Sequence, residues 1–310
     1  MKYILENTLT NLYGENTKKS YLIEGSKVVY NANHFSKYKH MRLNTNQFVL
    51  TPGYIMIDFS VLSISRFDRF KERMKHLHNI GCTTIITACD VSSESQFHHQ
   101  LKKAKHALIN SSIDYLVGVK IPLTKLTPTI IRKCSKHKVP IIFTEINDPD
   151  DIHSICWQWI RNEIFPYQLM IVPLWNIPDL TTWKSRRLKS EWEELLTTNK
   201  ITTQVEVPNE HTPLTKQFLL NVGLYPTKGS LQVGTDADYL FFSKQELSEK
   251  NNDFSELLPK VVFTHGTVKK AAANVYLQPG CGKELIVSVP RKFNPISNAF
   301  GTEPIYIDYY

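Results

Sequence analysis

Between residues 55 and 224 of this 310-residue chain, short apolar runs alternate with amphipathic helical segments, and this alternation limits the fold more than any other feature. The runs are rich in isoleucine and valine and end at turn residues. In the helical segments apolar residues recur at spacings of three and four, as at Phe67, Phe70, Met74 and Leu77. Strands of this kind separated by single helices predict a parallel sheet with right-handed crossovers. We count six such strands, at residues 55–59, 83–89, 115–121, 139–143, 169–174 and 201–207.

Both ends of the chain have the shorter alternation typical of β-structure. Residues 21–30 form two extended runs around Glu24-Gly25-Ser26-Lys27, which predicts a hairpin. We therefore predict one small discontinuous β-domain, formed by residues 1–51 and 228–310, and an α/β domain formed by residues 52–227. The expected strands beyond residue 228 lie at 239–242, 260–263, from 268 onward, and at 285–289.

The formal net charge of +8 favours an acidic partner only if the positive residues cluster. The densest groups, at residues 102–106 and 184–189, lie in helical segments whose other face is apolar, which is typical of solvated helix faces. No zinc-finger, helix-turn-helix or ribonucleoprotein motif accompanies them. A basic module that binds nucleic acid or another polyanion is thus the least favoured interpretation.

Residues 1–7 lack the apolar segment of a signal peptide, and no apolar run reaches the roughly 18 to 20 residues that cross a bilayer. The sequence therefore predicts a cytoplasmic protein without a membrane partner. The five cysteines are scattered and never form Cys-x-x-Cys, so we expect free, mostly buried thiols rather than a disulfide framework or a zinc knuckle.

Three stretches occur in the same order as motifs of a known family. Residues 48–60 read FVLTPGYIMIDFS, residues 81–86 read GCTTII, and residues 221–239 read NVGLYPTKGSLQVGTDADY. Together they resemble the cyclic amidohydrolases, in particular dihydroorotases and dihydropyrimidinases. The resemblance implies an α/β fold with a TIM-like (β/α) barrel. A closed barrel has eight strands and typically about 250 residues, against about 170 here, so we expect a truncated or distorted barrel unless two strands are unrecognised.

The resemblance also implies a metal site at the carboxyl ends of the barrel strands, but the expected ligands are missing. Asp58 and Ser60 stand where the two metal-binding histidines of the first strand belong. Lys120 matches the family's ligand lysine only loosely, because it lies one strand too early. Glu206 is a conceivable replacement for the aspartate of the last strand. We therefore predict no metal and no other cofactor.

The remaining polar residues at the predicted strand ends form a candidate vestigial site. Carboxylates that converge at one mouth repel one another unless a cation offsets them, which leaves a small-molecule or cation pocket as one interpretation and salt bridges as the other. His211 is the one histidine expected at this edge, since His76 and His78 fall on a helix that would face solvent. The candidates are Asp58, Ser60, Asp90, Lys120, Thr144, Glu145, Glu206, Glu210 and His211.

Other catalytic signatures, such as Gly-x-Ser-x-Gly, a Walker loop or His-Glu-x-x-His, are absent from the sequence. The favoured hypothesis is a catalytically inactive amidohydrolase-like protein, a pseudoenzyme that acts as a scaffold, regulator or binding protein with a protein partner or as a homo-oligomer. The alternative is a divergent metal-dependent hydrolase of cyclic amides or other C–N bonds. Tryptophans 157, 159, 183 and 192 belong either to a subunit interface or to the core.

Overall fold

The computed structural model describes residues 1–36, 38–178, 182–251, 253–254 and 256–293. It is a mixed α/β fold with two sheets, one parallel with five strands and one mainly antiparallel with nine. In the described part of the chain no helix combines the length and apolarity needed to span a membrane.

The nine-stranded sheet contains strands from both ends of the chain. Five come from the N-terminal part: β1 (Lys2–Leu12), β2 (Glu15–Glu24), β3 (Lys27–Ala32), β4 (Met41–Asn44) and β5 (Phe48–Pro52). Four come from the C-terminal part: β11 (Tyr239–Ser243), β12 (Val261–Thr264), β13 (Thr267–Ala271) and β14 (Asn274–Val275). The two groups join where β11 pairs antiparallel with β5, and β2 and β3 form the predicted hairpin. The boundaries of the domain remain a prediction.

The parallel sheet forms a curled half-barrel in the strand order β10-β9-β8-β7-β6. Its strands are β6 (Tyr54–Ile57), β7 (Cys82–Asp90), β8 (Asp114–Pro122), β9 (Ile141–Ile146) and β10 (Met170–Trp175). The helices that pack on its outer face are α1 (Phe67–Asn79), α2 (Phe97–Ala107), α3 (Pro128–Lys136), α4 (Asp151–Ser154), α5 (Trp157–Ile164) and α6 (Thr182–Thr198).

The sixth predicted strand, at residues 201–207, was wrong. This segment pairs with β10 through an isolated bridge between Ile171 and Thr203, and the indole of Trp175 donates to the carbonyl of Val205 at 2.8 Å. Further along, His211 donates its backbone N–H to the carbonyl of Ile57 at 3.1 Å, and Leu214 donates to that of Ile55 at 2.9 Å. Residues 201–214 therefore run irregularly from one edge strand of the half-barrel to the other, and their backbone groups are satisfied by both edges without forming a regular strand.

Helix α7 (Lys216–Val222) covers the concave face of the half-barrel. Thr215 caps its N-terminus, and it ends at Gly223, whose φ of 87° is the left-handed conformation that glycine favours. Phe218 and Val222 pack with the inward-facing residues of the strands, among them Ile57. The space that would be a barrel interior is thus filled by a helix.

The last predicted strand of the β-domain, at residues 285–289, was also wrong. Leu285 donates its backbone N–H to the carbonyl of Tyr115 at 2.8 Å, so this segment lies against the parallel sheet. Val287 joins the core of the concave face, and its carbonyl accepts the hydroxyl of Tyr167 at 2.6 Å. The apolar alternation of the segment reflects burial here rather than membership of the nine-stranded sheet. A short helix, α8 (Lys244–Glu249), follows β11.

Candidate active site at the carboxyl edge of the parallel sheet

Asp58 follows the last residue of β6 and is fully buried. Its Oδ1 accepts the hydroxyl of Ser60 at 2.8 Å and the backbone N–H of Val61 at 3.0 Å, which holds the first turn after the strand. Ile57 faces the concave side of the sheet, so the alternation of the strand turns Asp58 toward α1 on the outer side. The next residue, Phe59, lies on the concave side instead. Its ring packs edge-on against that of Phe143, with the two ring centroids 4.9 Å apart.

Arg73 of α1 supplies a positive charge directly beside this carboxylate. Its Nε lies 3.5 Å from Asp58 Oδ2, and its guanidinium donates to Ser60 Oγ at 2.5 Å. Another guanidinium nitrogen lies 3.3 Å from Nε2 of His211. Because arginine stays protonated at any physiological pH, Asp58 and Ser60 both contact a permanent cation.

After β6 and α1, the irregular segment of residues 209–214 is the third part of the chain that contributes to the site. It places Nε2 of His211 at 3.3 Å from Asp58 Oδ2 and Oε1 of Glu210 at 3.0 Å from the backbone N–H of Phe59. The ring of His76, on α1, lies 5.7 Å from that of His211. Burial and the neighbouring His211 lower the pKa of His76, which favours its neutral form.

A second polar group lies on the concave side of the same edge. Lys120 of β8 places its Nζ 2.7 Å from Asp90 on β7 and 3.6 Å from Glu145 on β9. Burial alone would lower the pKa of Lys120, but the two carboxylates, with Asp90 the stronger, raise it. This group is a salt bridge across three neighbouring strands, and no hydrogen bond or ion pair joins it to Asp58 in the described chain.

The structure therefore divides the predicted site residues among four places. Asp58, Ser60, Glu210 and His211 come together beside α1, whereas Asp90, Lys120 and Glu145 form the salt bridge on the concave side. Glu206 is exposed and pairs with Lys189 of α6. Thr144 is buried and donates to the carbonyl of Val172 at 3.4 Å.

Sequence reasoning missed Arg73, placed His76 correctly on an exposed helix face but not beside His211, and misplaced His78. Arg73 and His76 are three residues apart, so they lie on one face of α1, but nothing in the sequence shows that this face meets Asp58. The expectation of a solvent-facing His78 was wrong, because this side chain is fully buried and its Nε2 lies 3.1 Å from Ser112 Oγ.

Asp58, Glu210 and His211 are the residues at this edge that could hold a metal ion, since one potential ligand atom of each lies within 4.8 Å of the others. Asp58 Oδ2 is buried and accepts no hydrogen bond, so it has coordination capacity left. The guanidinium of Arg73, however, lies beside two of the three donors. A dication there would meet a fixed positive charge, so the donor set does not fit a tightly bound metal.

The stretch at residues 221–239, the third that resembles cyclic amidohydrolases, contributes to a polar group far from this edge. Lys228 is buried, and its Nζ contacts the carboxylates of Asp114 at 2.5 Å, Asp238 at 2.6 Å and Asp236 at 2.8 Å. Asp114 opens β8, so the cluster lies at the amino end of the parallel sheet. His265 adds an Nε2 contact to Asp114 at 2.8 Å. We call these five residues the lysine-centred cluster; it joins β8 to the nine-stranded sheet.

The lysine-centred cluster sets the charge states of its members. Burial would lower the pKa of Lys228, but the three carboxylates raise it well above its usual range. Burial likewise opposes the charged forms of Asp114 and Asp236, yet the pKa of each is lowered, by His265 and Lys228 for Asp114 and by Lys228 for Asp236. For Asp238 burial prevails and raises the pKa. The cluster is therefore a buried ion-pair network, and the side chain of Lys228 supplies its positive charge.

Comparison with solved structures shows the fold. The chain is similar to the dihydropyrimidinase of Brevibacillus agri NCHU1002, with a TM-score of 0.62 and 12% identity over 94% of this chain and 99% of that one. It is also similar to the D-hydantoinase of Bacillus sp. AR9, with a TM-score of 0.65 and 10% identity over 93% and 99% of the two chains. For the L-hydantoinase (dihydropyrimidinase) of Arthrobacter aurescens the TM-score is 0.56, with 12% identity over 91% and 99%.

At these identities the similarity defines a shared architecture, that of the dihydropyrimidinase and hydantoinase structures, and leaves the chemistry to the site itself. No protein-family model matches the sequence, and no curated protein matches it.

Proposed function

We propose that this chain is a non-hydrolytic protein with an amidohydrolase-like fold that serves as a scaffold or binding protein. The observation that carries the proposal is the pairing of Asp58 with Arg73 on the outer side of β6. It gives the carboxylate of Asp58 an arginine partner at the strand position where the resemblance to cyclic amidohydrolases implies a metal ligand.

Hydrolysis of a cyclic amide near neutral pH needs an activated water. A bound divalent ion lowers the pKa of water from 15.7 toward about 7. An arginine cannot do this because it has no open coordination position for water, and since it stays protonated it has no lone pair with which to accept a proton from water. The concave face, where substrate would approach, is occupied by Phe59, Phe143 and α7. Both features support a site that has lost turnover while the fold is retained.

Exposed aromatic side chains on the helical layer support a role in binding a protein. Trp159 on α5 and Trp183 on α6 are 65% and 67% exposed, whereas Trp157 and Trp192 are buried and contact each other at 5.5 Å. Large exposed aromatic residues are enriched at protein interfaces. The proposed partner is a cytoplasmic protein or a second copy of this chain, held through exposed aromatic residues of the helical layer such as Trp159 and Trp183.

A second candidate function, a divergent metal-dependent hydrolase, is favoured by one specific observation. Asp58 Oδ2 is buried without a hydrogen bond, and Glu210 and His211 offer two further ligand atoms nearby. If Arg73 swung away, these three residues would remain as an incomplete ligand set open to water. The chemistry would then be hydrolysis of a C–N bond by a metal-activated water.

One experiment separates the two candidates. The full chain, purified without chelator, is analysed for bound zinc, manganese and iron and assayed with dihydroorotate, hydantoin, dihydrouracil and allantoin. We expect no stoichiometric transition metal and no turnover above background. Metal-dependent turnover that disappears in Asp58→Ala would overturn the proposal in favour of the hydrolase, whereas turnover that survives this change belongs to a contaminant or to another site.

The binding role has its own test. Tagged wild-type protein and the double variant Trp159→Ser, Trp183→Ser are compared by pull-down from cytoplasmic extract and by sedimentation of the purified proteins. A partner or a self-association lost in the variant supports the proposed surface. Equal behaviour of the two proteins, with folding checked by circular dichroism, argues against it.

A further inference from the structure

A buried lysine without a carboxylate partner lies against a cysteine thiol, remote from the edge that carries Asp58. Lys269 of β13 is only 3% exposed, and its Nζ donates to Oε1 of Gln278 at 2.8 Å and to Sγ of Cys281 at 3.3 Å. No carboxylate lies within ion-pair distance of this ammonium in the described chain. A buried cation is normally paired with an anion, so its placement beside the sulfur needs a reason.

Among the residues that the structure describes, no anionic side chain forms a hydrogen bond or an ion pair with Lys269. His78 is fully buried nearby, and burial, together with the charge of Lys269, lowers its pKa to about 3, so it is neutral. Its Nδ1 has no hydrogen-bond partner. Cys281 also donates to the carbonyl of Ser112 at 3.6 Å. The thiol is therefore the group that the ammonium is placed to stabilise when negative charge develops on sulfur.

The position of Cys281 is fixed by the backbone around it. Gly282 donates its N–H to the carbonyl of Ser111 at 2.9 Å, and a Cβ at residue 282 would lie 2.2 Å from the carbonyl oxygen of Ile113. The next residue, Lys283, donates its N–H to Asp114 at 2.8 Å. Before the thiol, Tyr276 donates its N–H to the carbonyl of Lys269 at 2.7 Å. The loop of residues 276–283 is thus tied down on both sides of the thiol, while Cys281 itself stays partly exposed and open to small solutes.

From this geometry we infer that Cys281 is a peroxide-reactive thiol whose oxidised form is captured by Lys269 in a sulfenamide bond. The thiol sulfur attacks hydrogen peroxide, the O–O bond breaks, and the products are a sulfenic acid and one water; sulfur is oxidised by two electrons and peroxide is reduced. Nζ gives one proton to solvent, and the lone pair of the neutral amine then attacks sulfur, so that the S–O bond breaks as the S–N bond forms. Of the two protons that Nζ loses, one leaves with the hydroxyl as a second water and the other goes to solvent.

The covalent bond would fasten the loop of residues 276–283 to β13, and a thiol reductant would reverse it. The net change is the loss of two hydrogen atoms from the protein. This inference is independent of the proposed function, because none of its residues belongs to the candidate active site.

The test uses the full-length protein and dilute hydrogen peroxide, with intact mass and peptide mapping as readouts. We expect a product that has lost two hydrogens, with Cys281 joined to Lys269, and full recovery of the starting mass with dithiothreitol. Lys269→Arg keeps the positive charge but removes the nucleophilic amine, so this variant should stop at a sulfenic acid that dimedone labels at Cys281. Cys281→Ser should abolish the product.

Cys156→Ser is the matched control, because Cys156 is exposed and lies elsewhere; this variant should still form the bond. The inference is overturned if wild-type protein gives dimedone-labelled Cys281 without a Cys281–Lys269 peptide, if the missing hydrogens map to a disulfide, or if Cys281 does not react. Each of these outcomes is read on wild-type protein, so none depends on the folding of a variant.

Discussion

The carboxylate of Asp58 and the guanidinium of Arg73 lie 3.5 Å apart between β6 and α1, with the hydroxyl of Ser60 shared between them. This pair gives the buried carboxylate of Asp58 a positive partner within the protein. We therefore expect the charge of residue 73 to control whether this edge of the sheet binds a cation.

Removing that charge should create a metal site. In Arg73→Met we expect zinc to bind at least about tenfold more tightly than in wild type, a difference of about 1.4 kcal/mol, because Asp58, Glu210 and His211 would lose the adjacent cation. Isothermal titration after dialysis against chelator measures the affinity. Arg69→Met, a change at an exposed position of the same helix, is the control and should behave as wild type. Equal affinities in all three proteins would contradict the prediction.

Lys228 should be among the most important single side chains for stability. Lys228→Met leaves three carboxylates, two of them fully buried, without their cation, so we expect a loss of about 3 to 5 kcal/mol in the free energy of unfolding. Urea denaturation at pH 7 measures it. Lys27→Met removes a half-exposed partner of the same Asp236 and should lose less than about 1 kcal/mol. Similar losses in the two variants would show that the lysine-centred cluster does not depend on its buried cation.

The same cluster predicts a pH dependence with a definite sign. The pKa values of Asp114 and Asp236 are lowered in the folded protein, so their contribution is present above the usual aspartate range near 3.8 and is lost as the pH falls through the folded values. Without Lys228 these carboxylates repel one another, and protonation relieves the repulsion. The difference in unfolding free energy between wild type and Lys228→Met should therefore shrink between pH 7 and pH 3. A constant difference would argue against the mechanism.

His78 should make the protein less stable in weak acid. Its pKa is lowered from 6.5 to about 3 by burial, so below pH 6.5 the unfolded chain takes up a proton that the folded chain refuses. The resulting loss is at most about 1.4 kcal/mol per pH unit down to that lower value. In His78→Gln the dependence of the unfolding free energy on pH between 6.5 and 4 should be weaker, by at most about 1.4 kcal/mol per pH unit, because one protonating group has been removed. His106→Gln, at an exposed position, should keep the wild-type slope.

Helix α7 should be essential to the half-barrel because it covers the concave face. Phe218→Ala empties a fully buried ring position, and we expect a loss of about 3 to 5 kcal/mol. Phe165→Ala removes a ring that is 77% exposed and should change the unfolding free energy by no more than about 0.5 kcal/mol. Thermal and urea denaturation of both variants give the comparison. A small effect at Phe218 would mean that the concave face is covered by other residues.

Local patterns in the sequence determined the elements of this fold. Five strands and the helices between them follow from apolar runs and from spacings of three and four, because these periods reflect which side of an element is buried. The hairpin around Gly25 and the helix end at Gly223 follow from turn chemistry that operates within a few residues. The stretch at residues 48–60 likewise drew attention to Asp58 and Ser60, which the structure joins by a hydrogen bond of 2.8 Å.

Tertiary structure alone decided how these residues meet. Asp58 turns toward Arg73 rather than into the concave face because Ile57 takes the inward position, and one residue of register reverses every side chain of a strand. Residues 201–207 and 285–289 have the composition of strands but pack irregularly on the half-barrel, because burial by distant elements produces the same apolar pattern as strand pairing. The contacts of Lys228 with Asp114 and of Lys269 with Cys281 join residues far apart in sequence, and no local pattern encodes such pairs.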